Sequence, residues 1–170
     1  MMIWIILAVA VMAFGIWMCV KPYFPAALAA YAGLWILKAS GAIDASASLM
    51  TAWGIAVIIL LLIDYMQPPA ISKATNGTMF FTIGAMAGTA VGLNFMSQAG
   101  IVICVAAGVV FGGLAYSRSV SGRALGFPSV RFFQYLCAKG FPIAVTFSII
   151  GVAVLLWVIR HYPAFALEKM

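Results

Sequence analysis

Charge is what this sequence has least of. Asp, Glu, Lys and Arg make up 7% of its 170 residues, against roughly a quarter in a soluble domain, and a surface so poor in charge would not stay dissolved. Acids are scarcest: Asp44, Asp64 and Glu168 are the three, and His161 is the single histidine. Catalysis needs a nucleophile, a base and a group to orient them, or a metal with its ligands. No GxSxG, HExxH or CxxC occurs, so no catalytic residues and no enzyme are expected. Cys19, Cys104 and Cys137 stand singly inside apolar runs, neither evenly paired nor at metal-ligand spacing. They read as small packing residues, and no metal or other cofactor is expected. The net charge of +6 comes from nine basic residues scattered between apolar segments, which excludes the basic patch of a nucleic-acid-binding protein.

What remains is apolar. Hydrophobic residues form 66% of the chain and its mean hydropathy is +1.19, the composition of an integral membrane protein with one domain, 1–170. The N-terminal run lacks a basic n-region and a cleavage site, so it reads as a retained first helix. The expected fold is all-α: a polytopic transmembrane bundle of about five to six membrane helices around a glycine-rich helical hairpin.

That hairpin lies between Thr82 and Gly113. Gly84, Gly88 and Gly92 recur every four residues, and after Ser97 and Gln98 the spacing resumes at Gly100, Cys104, Gly108 and Gly112. Residues four apart share a helix face, so each run makes a strip without side chains. Such strips let two helices approach until dispersion and weak Cα–H···O contacts replace the hydrophobic drive that lipid cannot supply.

Around it the spans follow in order. Met2 to Val20 is close to the roughly 20 residues that cross a hydrocarbon core. Pro25 is placed to open a second helix that ends near Lys38. That segment is short: it either crosses with Lys38 snorkelling outward or returns as a re-entrant hairpin. Leu49 to Tyr65, Met79 to Phe95, Gly100 to Tyr116 and Gly140 to Ile159 complete the set, with Pro142 allowing a kink. Between Ser117 and Lys139 positive charge gathers without an acid, and Pro128 can open an interfacial helix. There Phe132, Phe133, Tyr135 and Leu136 would lie toward lipid, with Arg131 at the headgroups. Arg118, Arg123 and Arg131 are the candidates for lipid headgroup contact. With six crossings and this loop cytoplasmic, six of the nine basic residues fall inside and three outside, which favours both termini outside.

The order of these signals resembles a known family. The apolar first helix, the turn at Pro22 and Pro25, Gly33 in a short helix, Asp64-Tyr65 closing the third helix, the glycines from Gly77 to Gly113 and Lys139 before the last span are together similar to a small bacterial membrane-protein family, number four-five-six in the series of domains of unknown function. The resemblance covers nearly the whole chain and departs at Lys21 and Ala26. It implies a multi-pass protein of the bacterial inner, or cytoplasmic, membrane and brings no assigned activity.

Asp64 and Lys139 are the candidate ion pair. An ionisable group near the end of a span is costly unless it is paired or reaches the interface, so the two either approach each other or each snorkel to headgroups. The expected function is a glycine-zipper packing, scaffold or accessory protein. Its partners are membrane lipid and, where the strips pack between copies, a second chain. The alternative is a transporter or channel for a small solute, ion or lipid. Packing is favoured because Thr82, Thr89 and Thr146 are nearly all the polarity the spans offer.

Overall fold

The computed structural model describes residues 2–20, 25–66, 77–119 and 127–162. All the elements they form are helical: α1 (Met2–Val20), α2 (Ala26–Ala39), α3 (Ala47–Met66), α4 (Thr78–Leu93), α5 (Gln98–Arg118), the short α6 (Val130–Tyr135), a π-helical turn (Leu136–Gly140) and α7 (Phe141–His161). In lipid a backbone must satisfy its own polar groups, and a helix does so segment by segment. Met2–Val20, Ala47–Met66, Gln98–Arg118 and the continuous Val130–His161 are long and apolar enough to cross a membrane. The chain is a multi-pass helical membrane protein. At 14 and 16 residues, α2 and α4 extend roughly 21 and 24 Å, short of a hydrocarbon core of about 30 Å.

Small residues decide which helices touch most closely. A methyl built on Gly84 would meet the carbonyl of Gly108, and one on Gly108 the carbonyl of Gly84. At Gly88 it would meet the Cys104 carbonyl and lie 2.8 Å from Val105 Cα, at Gly92 2.7 Å from Ile101 Cα, and at Gly112 against the Phe80 carbonyl. α4 and α5 therefore meet backbone to backbone along this seam. Gly100 plays a different part, because a methyl there would lie 3.0 Å from Phe95 Cβ, in the turn between the two helices.

A second seam joins α1 to α2. Gly15 faces the Ala26 carbonyl at 3.3 Å and the Ala30 nitrogen at 3.4 Å from a built methyl, and Gly33 receives Met12, whose Cγ lies 2.6 Å from that position. The pairing of Gly15 with the alanine face of α2 was not anticipated. Alanine strips carry the same packing information as glycine strips but are common in any apolar helix.

The bundle is not centred on the glycine hairpin as expected. Each of α1 to α5 touches α7, and the most apolar stretch of Val130–His161 is 56% buried, against 17–33% for the other three long helices. Thr146, Ile149 and Val152 are inaccessible. α7 is the central post and the hairpin is one of its walls. α3 lies at the opposite extreme, with Met50, Val57 and Leu60 as the buried members of its 20 residues.

α3 adds one polar contact from a neighbouring helix to this apolar packing. It begins two residues before the expected boundary because Ser46 Oγ accepts the Leu49 N–H at 3.3 Å and caps the first turn. From α2, the Tyr31 hydroxyl donates to the Met50 carbonyl at 3.0 Å. Gly54 makes room for it, since a methyl there would lie 2.9 Å from that hydroxyl.

Candidate functional site

Two ends of the bundle carry the polar groups. At the first, Asp44, just after α2, accepts a hydrogen bond from Arg160 at the end of α7, with 2.6 Å between Oδ1 and Nη1. At the second, Pro25 and Ala26 from the start of α2 line a cavity together with residues from the closing turns of α1 and α3 and the opening turns of α4 and α7. α2 therefore runs from one end of the bundle to the other and does not double back, which resolves its geometry.

The cavity, about 140 Å³ in volume, is lined on one side by Val57, Leu60, Leu61 and Asp64. These follow one face of α3 at the three- and four-residue spacing of a helix. Across from them stand Cys19 on α1, Thr78 on α4 and Ala138, Lys139 and Pro142 at the head of α7.

Pro142 explains how a lysine comes to be there. Its ring has no N–H to donate and would crowd the carbonyl four residues earlier. The helix widens just before it: the Phe141 N–H donates to the carbonyl of Leu136 in a π-helical step, a feature that re-aims side chains and recurs at functional sites. The expected kink at Pro142 is thus taken up by a π turn. Ala138, Lys139 and Gly140 are the buried residues of that turn, and Lys139 is 6% exposed. Gly140 permits the packing, as a methyl there would lie 2.9 Å from both Val109 Cγ1 and Leu136 Cδ1.

Asp64 is exposed at the rim of the cavity, and its carboxylate acts on the Lys139 ammonium electrostatically. The two candidate partners thus face one space. Lys139 is buried in the turn that carries it. Cys19 is buried beside Thr146, within hydrogen-bonding reach of its hydroxyl. Cys137 is exposed and so takes no part in the packing expected of it.

The arginine-bearing segment is only partly as expected. Arg118 and Arg131 are exposed, while Arg123 lies outside the described residues. α6 begins at Val130, after Ser129, whose hydroxyl accepts the Phe132 N–H at 3.1 Å. Phe133 is 53% exposed, but Phe132 is 2% exposed and packs edge-on against Phe127 at 5.2 Å. Tyr135 stacks on Tyr116 at 6.0 Å and lies 5.8 Å from Phe81. The aromatic residues of this segment therefore divide between lipid and protein, because α6 is docked onto α4 and α5 by rings on its inner face.

The mid-span hydroxyls are occupied by their own helices. Thr82, Thr89 and Thr146 donate to the carbonyls of Thr78, Ala85 and Pro142 at 2.9, 2.8 and 2.8 Å, the back-bonding that hides a hydroxyl inside an apolar helix. Among the described residues no three His, Cys, Asp or Glu side chains converge as metal ligands do.

Sequence reasoning singled out Asp64 and Lys139 but missed Cys19, Thr78 and Pro142 as their neighbours. The one signal that could have revealed the arrangement is Lys139 three residues before a proline, where a helix must open. Comparison with protein-family models, curated proteins and solved structures finds no match.

Proposed function

We propose that the chain is a small scaffold or accessory protein of a bacterial inner membrane, a glycine-zippered bundle in which α1 to α5 and α7 each cross the bilayer. The observation that carries this reading is the backbone contact of Gly84, Gly88 and Gly92 with Gly108, Cys104 and Ile101, and of Gly112 with Phe80, inside one chain. It makes a rigid pair that needs no partner to bury its strips. A homo-oligomer would then use other faces, and α3 and α1, each with most of its surface exposed, offer two. Arg118 and Arg131 lie on the side favoured as cytoplasmic by the excess of basic residues, where anionic headgroups would meet them. The resemblance in residue order to the bacterial family of unknown function supports the same location.

The second reading, a carrier or channel for a small solute, ion or lipid, is favoured by the charged cavity. Against it stand the mid-span hydroxyls, which bond back to their own helices and offer a solute little along the way. Reconstitution separates the two. Purified protein in liposomes is expected to give solute, ion and lipid fluxes no greater than empty vesicles, while Gly88→Leu and Gly108→Leu lose the fold. A reproducible flux abolished by Lys139→Gln would replace the scaffold reading with the carrier.

A further inference from the structure

α3 is joined to the bundle differently from its neighbours. α1 meets α2 where Gly15 faces the backbone of Ala26 and Ala30, α4 meets α5 along the glycine seam, and α7 is the most buried of the long helices. α3 packs on α2 and α7 through one stripe of side chains: Met50, Val57 and Leu60, with Trp53, Ala56 and Leu61 beside them. Its single glycine, Gly54, faces the side chain of Tyr31.

The two halves of the helix have different surroundings. Before Gly54, Ser46 caps the first turn and the Tyr31 hydroxyl donates to the Met50 carbonyl at 3.0 Å. After it, Val57, Leu60, Leu61 and Asp64 border the cavity, so this half lies partly against open volume.

Gly54 stands at the junction, where the helix is weakest. A regular helix pairs the Met50 carbonyl with the Gly54 N–H, and the Tyr31 hydroxyl shares that acceptor. Glycine is the poorest helix former after proline, and a side chain reaching into the backbone ladder is a recognised cause of bending. Alanine is no substitute while the tyrosine keeps its hydroxyl, because a methyl would lie 2.9 Å from it.

Outward movement of the second half has little hydrophobic cost in a bilayer. Lipid tails are as apolar as the side chains they would cover, so packing contacts are the main loss. Asp64, exposed in the last turn of α3, is attracted to Lys139 across the cavity, which favours the closed position.

We infer that α3 from Ile55 to Met66 is a movable wall, hinged at Gly54, whose outward swing opens the cavity sideways to the bilayer. The inference concerns how the cavity is reached and not what enters it, so it stands with either the scaffold or the carrier.

The test is double electron–electron resonance on the full-length protein in liposomes, with nitroxides attached in a background lacking Cys19, Cys104 and Cys137. Leu62→Cys with Ala115→Cys reports the second half of α3 against α5, and Ala52→Cys with Ala99→Cys reports the first. All four positions are exposed. The Leu62–Ala115 pair is expected to give two distance populations and the Ala52–Ala99 pair one. Asp64→Asn is expected to enlarge the longer population about twofold, the effect of losing an exposed charge attraction. Gly54→Ala, combined with Tyr31→Phe to make room for the methyl, is expected to shrink it about fivefold relative to Tyr31→Phe alone, the difference in helix preference between glycine and alanine. A single narrow distance for the Leu62–Ala115 pair, in wild-type protein and in Asp64→Asn alike, would overturn the proposal. Two populations indifferent to Gly54→Ala would also overturn it, as fraying of the last turn. If the Tyr31→Phe variants do not fold, Asp64→Asn decides: a longer population that grows supports the hinge, and one that stays the same removes it.

Discussion

Gly84 and Gly108 each occupy the place that the other's methyl group would need: a Cβ on either residue falls on the carbonyl of its partner across the α4–α5 seam. Nothing flexible lies between them, so the contact cannot adapt by rotating a side chain. The approach depends on the missing atoms.

Gly84→Ala and Gly108→Ala are therefore expected to destabilise the protein. Alanine gains up to about 1 kcal/mol in helix propensity, while overpacking costs about 1–3 kcal/mol, toward the upper end where backbone must move. The net loss should be near 2 kcal/mol for each, measured by reversible unfolding in mixed micelles. In the double variant the losses should not add, because one separation of the helices relieves both clashes.

Asp64 and Lys139 face one cavity, and their electrostatic contact should appear as coupling. In a cycle of Asp64→Asn, Lys139→Gln and the double variant, an interaction energy of about 0.5 kcal/mol or more is expected. Losses that simply add would mean that each residue acts alone.

The Asp44–Arg160 pair makes a geometric prediction and a weak energetic one. With side chains 85% and 38% exposed, the pair should contribute less than about 1 kcal/mol, so Asp44→Asn should melt almost as the wild type does. In a background lacking Cys19, Cys104 and Cys137, Asp44→Cys and Arg160→Cys should react with an impermeant maleimide from the same side of the membrane, and Asp64→Cys from the other. Labelling of Asp44→Cys and Asp64→Cys from one side would contradict the end-to-end course of α2 and α3.

Tyr31 tests how α3 is held. Its hydroxyl reaches the Met50 carbonyl at 3.0 Å, and Tyr31→Phe should cost about 0.5–1.5 kcal/mol. Because few apolar side chains of α3 are buried, the same substitution should raise hydrogen exchange in the first turns of α3 more than in α7.

Helix identity and approximate boundaries were legible because an apolar run of fixed length and a proline or polar break are local signals. Gly88 and Gly108 were also legible, since absence of a side chain at four-residue spacing has one structural use. The central role of α7 was not: Ile149 and Val152 look no different in sequence from the lipid-facing Ile58 and Ile59 of α3, because lipid and protein interior select the same side chains. The inward turn of Phe132 was hidden for the same reason, and the cap at Ser129 decides it. Asp44 and Arg160 lie 116 residues apart, so the meeting of two loop ends depends on how every helix between them runs. Lys139 stood out by its charge, but its burial follows from the π turn that Pro142 imposes.

The most direct test compares leucine at two adjacent positions of α5, one in the seam and one on the exposed face. Ala107 is exposed, so Ala107→Leu should melt within a few degrees of wild type, whereas Gly108→Leu, driven onto the backbone of Gly84, should lower the melting temperature by about 10 °C or prevent folding. Equal melting of the two variants would contradict the buried backbone seam.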